Sequence, residues 1–179
     1  MLTAIYQALC ACLGLSPSSD AASTLIRQAY DEPENAPRPP RSADVIYYTA
    51  EPDGAGEEPP PAYAAENPSS SSHTPTVTSF SAYRLLITCY GPNAEANARK
   101  IRALLYIDGA NFPRGILRKS GLYPVPNPPE VLLLHEPEGS LWRRRADLTI
   151  QLHLLETQTH PHRRNAVTVA PAITIHTNR

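Results

Sequence analysis

The feature that most constrains this chain is the strict alternation that runs from Leu141 to Leu155. Trp142, Ala146, Leu148, Ile150, Leu152 and Leu154 fall on one side of an extended backbone, and Arg143, Arg145, Asp147, Thr149, Gln151 and His153 fall on the other. Successive strand side chains point to opposite faces, so this is a period of two. One face is apolar and one is wet, which suits an antiparallel sheet packed on a core through one side. Glu130–Glu136 reads as the partner strand. Between them, Glu136-Pro137-Glu138-Gly139 has proline second and glycine fourth, as a type I turn favours. The sequence therefore predicts a β-hairpin that turns at 136–139, with Trp142 on its core face.

A second long strand is predicted over Val77–Tyr90. Tyr83, Leu85, Ile87 and Cys89 point one way, and Leu86, Thr88 and Tyr90 point the other. Bulk on both faces predicts cover on both sides for part of its length. Gly91-Pro92-Asn93 ends it and opens a helix over 93–106, since proline fits the first helical turn. Ala94, Ala98, Ile101 and Leu105 make the buried stripe, while Arg99, Lys100 and Arg102 sit where the helix dipole favours cations. A short helix at 112–119 follows and ends before Gly121. At the N-terminus, Leu2, Ile5, Tyr6, Leu9 and Leu13 have amphipathic helical spacing, and Gly14 stops them. Thr24–Tyr30 and Val45–Thr49 read as strands, and a last strand is expected at 166–176.

The twenty prolines are about twice the usual share, and they crowd into a few stretches. Asp31 to Pro40 cannot continue a helix or a central strand, because proline lacks the backbone donor. Residues 51–75 carry Pro59–Pro61 and Ser69–Ser72 and predict a long, flexible acidic loop. Helix, strands, helix, strands is the order of an α+β fold: an antiparallel sheet with an N-terminal and a central helix on one face. A length of 179 residues suits one domain over 1–179, with 156–179 as a C-terminal strand extension.

The net charge is −1, against a protein built mainly to hold nucleic acid. Its distribution is uneven. Residues 1–83 set three arginines against ten acids, and residues 84–179 set thirteen basic residues against seven acids. Complementary patches of this kind set the register between neighbours. Cys10, Cys12 and Cys89 are an odd set without the look of a disulfide framework, which predicts synthesis in a reducing cytoplasm. Residues 1–15 are apolar but too short to span a bilayer, and no basic n-region or clear cleavage site accompanies them. No membrane association is expected.

Three segments resemble a known family: Gln28-Ala29-Tyr30 through Asn35-Ala36-Pro37-Arg38-Pro39-Pro40; Leu86–Tyr90 running into Gly91-Pro92-Asn93-Ala94 and the helix with Arg99, Ile101 and Arg102; and Trp142-Arg143-Arg144-Arg145-Ala146-Asp147-Leu148. Together, over about residues 24–155, they are similar to phage neck terminator proteins, a group like tail terminators. The resemblance implies a structural virion subunit with no active site. It implies a homo-oligomeric ring, often a hexamer, which caps the tail tube protein and docks on a head-completion or connector protein. Head closure, tail completion, a tube subunit and a non-viral binding domain are the alternatives.

The residues offer little catalytic chemistry. His153, Glu156, His160 and His162 are the nearest approach to a metal set, but His160-Pro161-His162 is a bend and not a pair on one helix face. Gly54-Ala55-Gly56 lacks the strand-to-helix setting of a phosphate loop. No cofactor is expected. Arg143-Arg144-Arg145 is not one basic stripe, since alternation sends Arg144 to the opposite face. Candidate interface residues are Pro37, Arg38 and Pro39 as a stiff contact, Arg143 and Arg145 for ion pairs between subunits, and Glu57 and Glu58 in the acidic loop. An acidic loop also suits a lumen that DNA traverses without specific binding.

Overall fold

The structure, a computed structural model, describes residues 1–30, 39–54, 62–64, 76–109 and 111–159. The chain begins with helix α1 (Leu2–Leu13), as its spacing predicts. Gly14 ends it in the left-handed conformation. The Leu15 N–H bonds Cys10 O at 2.9 Å and the Gly14 N–H bonds Ala11 O at 3.3 Å, which closes the helix as a Schellman motif.

The segment read as a strand from Thr24 is divided. Helix α2 (Asp20–Leu25) comes first, and strand β1 is only Ile26–Gln28. Ser19 caps α2, its side-chain oxygen accepting from the Ala22 N–H, and Asp20 lies in the first turn beside the positive helix end. These local signals hold 20–25 helical.

Strand β2 (Val45–Pro52) runs parallel to β1 and antiparallel to β4 (Thr76–Tyr90). It extends past Thr49, so 51–52 belong to a strand and not to the expected loop. Strand β3 (Ala62–Ala64) continues on the same edge of β4, opposite Thr76–Thr78. The low-complexity sequence gave no sign of it. Residues 55–61 and 65–75 of that loop and the strand expected at 166–176 lie outside the described residues.

Helix α3 (Ala94–Leu105) buries Ala94, Ala98, Ile101 and Leu105, the predicted stripe. Helix α4 (Pro113–Lys119) starts on its proline. Strand β5 (Leu122–Pro124) and strand β6 (Leu132–Glu138) both pair with the 19-residue strand β7 (Leu141–Thr159). The sheet order is β1-β2-β4-β7-β5, with β3 on β4 and β6 on β7. The fold is α+β. β4 and β7 pair antiparallel from Thr76 opposite Thr159 to Tyr90 opposite Arg145, a ribbon about 50 Å long at the usual strand rise.

Helices α1, α3 and α4 pack on one another and over one sheet face. Leu85, Ile87 and Cys89 of β4 meet Ala146, Leu148, Ile150 and Leu152 of β7 there, together with Ile5, Leu9, Ile101 and Leu117. No helix among the described residues lies on the other face. The cover predicted for that side of β4 is partial: Leu86, Thr88 and Tyr90 are half-buried. Tyr47 packs edge-on to Tyr90, and Phe80 packs edge-on to Tyr123, both with ring centres 6.1 Å apart.

Candidate functional site

The β6–β7 hairpin extends past the helical layer. Its turn is Gly139-Ser140, two residues later than the sequence suggested, with Glu138 opposite Leu141 and Pro137 inside β6 opposite Trp142. Gly139 takes φ +65° and Ser140 keeps negative φ, the pattern of a type II′ turn, whose twist matches the flanking strands. Proline is tolerated in β6 because this is an edge strand.

Trp142 does not face a core. It lies on the same side as Ala146, but at 67% exposure, because the helices end before the hairpin tip. Leu132, Leu133, Leu134 and Leu141 are exposed with it. Opposite residues of an antiparallel pair share a face. Leu133 sits opposite Ala146, whereas Leu132 and Leu134 sit opposite Asp147 and Arg145, so the apolar groups emerge on both faces of the edge.

The two faces carry different groups. On the helix side, Leu133, His135 and Arg144 form a groove of about 500 Å³ with the first turns of α3. On the open side, Arg143, Arg145, Glu136 and Glu138 gather around Tyr90. Both Arg145 Nε and Nη2 donate to the Asp147 carboxylate at 2.8 Å, and Nη1 donates to Glu136 at 3.2 Å. The bonds to Asp147 hold the Arg145 guanidinium above its ordinary pKa. The Tyr90 hydroxyl donates to Glu136 at 2.7 Å. Burial, then this bond, pushes the Tyr90 phenol up to about 12. Arg41 donates to Glu138 Oε2 at 2.9 Å and to the Glu138 carbonyl.

Arg143 was expected on a wet face, yet it is 8% exposed, under Tyr90, with its guanidinium carbon 4.7 Å from the ring centre. The arginine lines a cavity of about 180 Å³ with Pro39, Tyr47, Tyr90, Glu136 and Glu138. Strand alternation does place Arg144 on the opposite face, as Trp142 and Ala146 are.

Of the candidate residues, the structure brings together Pro39 and Arg143 at this cavity, with Arg145 beside it on the Tyr90 ring. Pro37, Arg38, Glu57 and Glu58 lie outside the described residues. Sequence reasoning missed Arg41, Tyr47, Tyr90, Glu136 and Glu138, which come from distant segments. It also passed over Leu132-Leu133-Leu134, although three leucines in a row beside a turn already place apolar bulk on both faces of a strand.

The described residues include no set of three or more His, Cys, Asp and Glu side chains that could hold a metal ion. His160 and His162 lie outside the description. Cys10, Cys12 and Cys89 are buried free thiols. Burial pushes Cys12 and Cys89 up to about 12, which disfavours the thiolate that nucleophilic or metal chemistry needs. No helix among the described residues is long and apolar enough to cross a membrane.

These observations describe exposed apolar and charged surfaces and, among the described residues, no assembled metal-binding cluster. The sequence model of the phage neck terminator protein family matches residues 1–178. The chain belongs to that family of structural phage proteins, which places it in the virion, at the neck and tail. No curated protein matches the chain.

Proposed function

We propose that the chain closes head to tail into a ring, six-fold as in the resemblance drawn from its sequence. The ring terminates the tail tube and joins it to the head-side connector, and DNA passes through the lumen without specific binding. The single domain over 1–179 supplies every contact, and host cytoplasm is the place of synthesis.

The observation that carries this reading is the β6 edge. Its outer side pairs with no strand among the described residues, and Leu132, Leu133 and Leu134 present apolar groups to both faces of the sheet. An open apolar edge is a template for pairing with another chain. A docked helix or flat surface covers one face of such an edge. An added strand covers both and satisfies the backbone. A head-to-tail contact repeated by rotation makes a closed ring when the angle divides the circle, and a filament when it does not.

The test is a charge placed on the edge. Leu133→Lys is expected to keep the circular dichroism and melting of the separate subunit while depleting the assembled species. Assembly that ignores the substitution overturns the role given to β6. A tube subunit is the second reading, and it differs in product: it stacks into long tubes, whereas a terminator stops at one ring.

A further inference from the structure

Among the described residues β6 pairs only with β7, so its outer edge stands open. Where that edge lies along the ribbon decides which segment can fill it. β6 sits beside the start of β7, with Leu132 opposite Asp147. β7 ends at Thr159, opposite Thr76. Twelve residues of strand separate Asp147 from Thr159, roughly 40 Å at the usual rise. The open edge and the outgoing chain therefore stand at opposite ends of one ribbon.

Residues 166–176 carry the strand pattern expected from the sequence and lie outside the described residues. Val167, Val169, Ile173 and Ile175 alternate with alanine and threonine, and the segment holds no Asp, Glu, Lys or Arg. A strand of this kind can lie on an apolar edge without burying a charge. The other stretches outside the description do not alternate, and each is broken by proline: Pro33 and Pro37, Pro59–Pro61, Pro68 and Pro75. Successive residues of a strand direct their N–H groups to opposite sides. Pro171 falls on the row of Val167 and Ile173, so the even-numbered row keeps every donor. Pairing through that row leaves Pro171 on the new outer edge, where the missing donor opposes a further strand.

We propose that residues 166–176 of one copy add as a strand to the β6 edge of the next. This rests on the reading of β6 as a contact between copies, and it names the segment that fills the contact. Reach argues against the same chain as donor. Eight residues from Thr159 to Val167 span at most about 29 Å, short of the roughly 40 Å back to Leu132. Only the last few residues of a chain's own segment extend that far. A neighbour whose Thr159 end lies against the hairpin has no such gap to cross. Because donor and acceptor stand at opposite ends of the ribbon, each copy gives at one end and receives at the other. That is a head-to-tail contact, the kind that closes a ring. Main-chain hydrogen bonds hold the added strand, and its valines and isoleucines cover leucines on one face of the edge.

The experiment uses the full chain. Ile173→Lys places a charge in the donor, and its assembly is followed by mass photometry across a dilution series beside the parent and Leu133→Lys. Ile173→Lys is expected to weaken assembly by roughly tenfold or more, while the dilute subunit melts as the parent does. Assembly lost in Leu133→Lys but kept in Ile173→Lys overturns the donor and leaves the β6 contact standing. A dilute Ile173→Lys subunit that melts lower assigns the segment to its own fold and overturns the donor too. Cysteine pairing then tests the contact itself. Leu133→Cys chains are mixed under mild oxidation with chains in which each residue from Val167 to Ile175 is replaced by cysteine in turn. The native Cys10, Cys12 and Cys89 are buried and stay out of the reaction. A disulfide needs Cα atoms within about 7 Å, so cross-linked pairs are expected at one or two positions and not at the rest. With both cysteines in one chain, the joined species is expected to grow to the ring. No cross-link at any position, or one confined to a single chain, overturns the donor. Joined species that stop at two copies keep the donor strand and overturn the ring. A parent chain that never assembles removes both readings.

Discussion

The carboxylate of Asp44 accepts two hydrogen bonds from Asn93, one from its backbone N–H at 2.9 Å and one from its side-chain amide at 2.8 Å. Asp44 immediately precedes β2 and Asn93 immediately precedes α3. The pair therefore locks the corner at which the sheet hands the chain to its central helix. Gly91 makes the corner possible. It takes φ +106°, and a Cβ there would lie 2.6 Å from the Ala43 carbonyl oxygen and 2.8 Å from Asp44 Cα. Backbone atoms cannot move aside as a flexible side chain can. Gly91→Ala is expected to cost about 2–3 kcal/mol, and Asp44→Ala about 1 kcal/mol through the two lost hydrogen bonds from Asn93, measured by urea unfolding. A Gly91→Ala midpoint equal to the parent's would contradict this account of the corner.

The helical layer and the hairpin tip should respond to truncation in opposite ways. Ile101 is fully buried between α3 and the sheet, so Ile101→Ala is expected to cost about 2–5 kcal/mol of subunit stability. Trp142 is larger but stands in solvent. Trp142→Ser is expected to stay within about 0.5 kcal/mol of the parent when subunits are dilute, and to weaken assembly when they are not. Chemical unfolding at two protein concentrations separates the effects. A large loss for Trp142→Ser at high dilution would mean that the tryptophan belongs to a core.

Alkaline pH should loosen the fold. Cys12 and Cys89 are raised from 9.0 to about 12, and Tyr90 from 10.0 to about 12, with burial the leading cause in each. The folded state favours the protonated forms. The stability they contribute is fully present below the unfolded values and is lost as pH rises toward 12. The melting temperature is expected to drop progressively above about pH 9, by the linkage just stated. Tyr90→Phe should flatten the part of the decline that begins near pH 10, the phenol's ordinary value. Stability that holds level from pH 8 to 12 would contradict these shifts. In the same range a thiol reagent should label the three cysteines only as fast as the chain opens.

Much of the fold was legible because its signals are local. Ala94, Ala98, Ile101 and Leu105 fall on one stripe by helical spacing alone, and all four are buried. Ala146, Leu148, Ile150 and Leu152 do the same by strand alternation. Alternation names a face but does not say how far the helices reach along it, so Trp142 was assigned to a core that ends at Ala146. The turn moved from 136–139 to Gly139-Ser140 because proline sits comfortably inside an edge strand, and edge status is a property of the sheet. The setting of Arg143 was hidden for a similar reason. Tyr47, Tyr90 and Pro39, which bury it, are 50 or more residues away in sequence and converge only through strand pairing.

The central claim concerns what the chain does with copies of itself, and the mass of the purified full chain addresses it directly. At micromolar concentration the account predicts one dominant species at six times the 19.6 kDa subunit, seen as closed rings in negative stain and not growing into tubes. A single subunit mass that persists as concentration rises, with featureless particles, would contradict it.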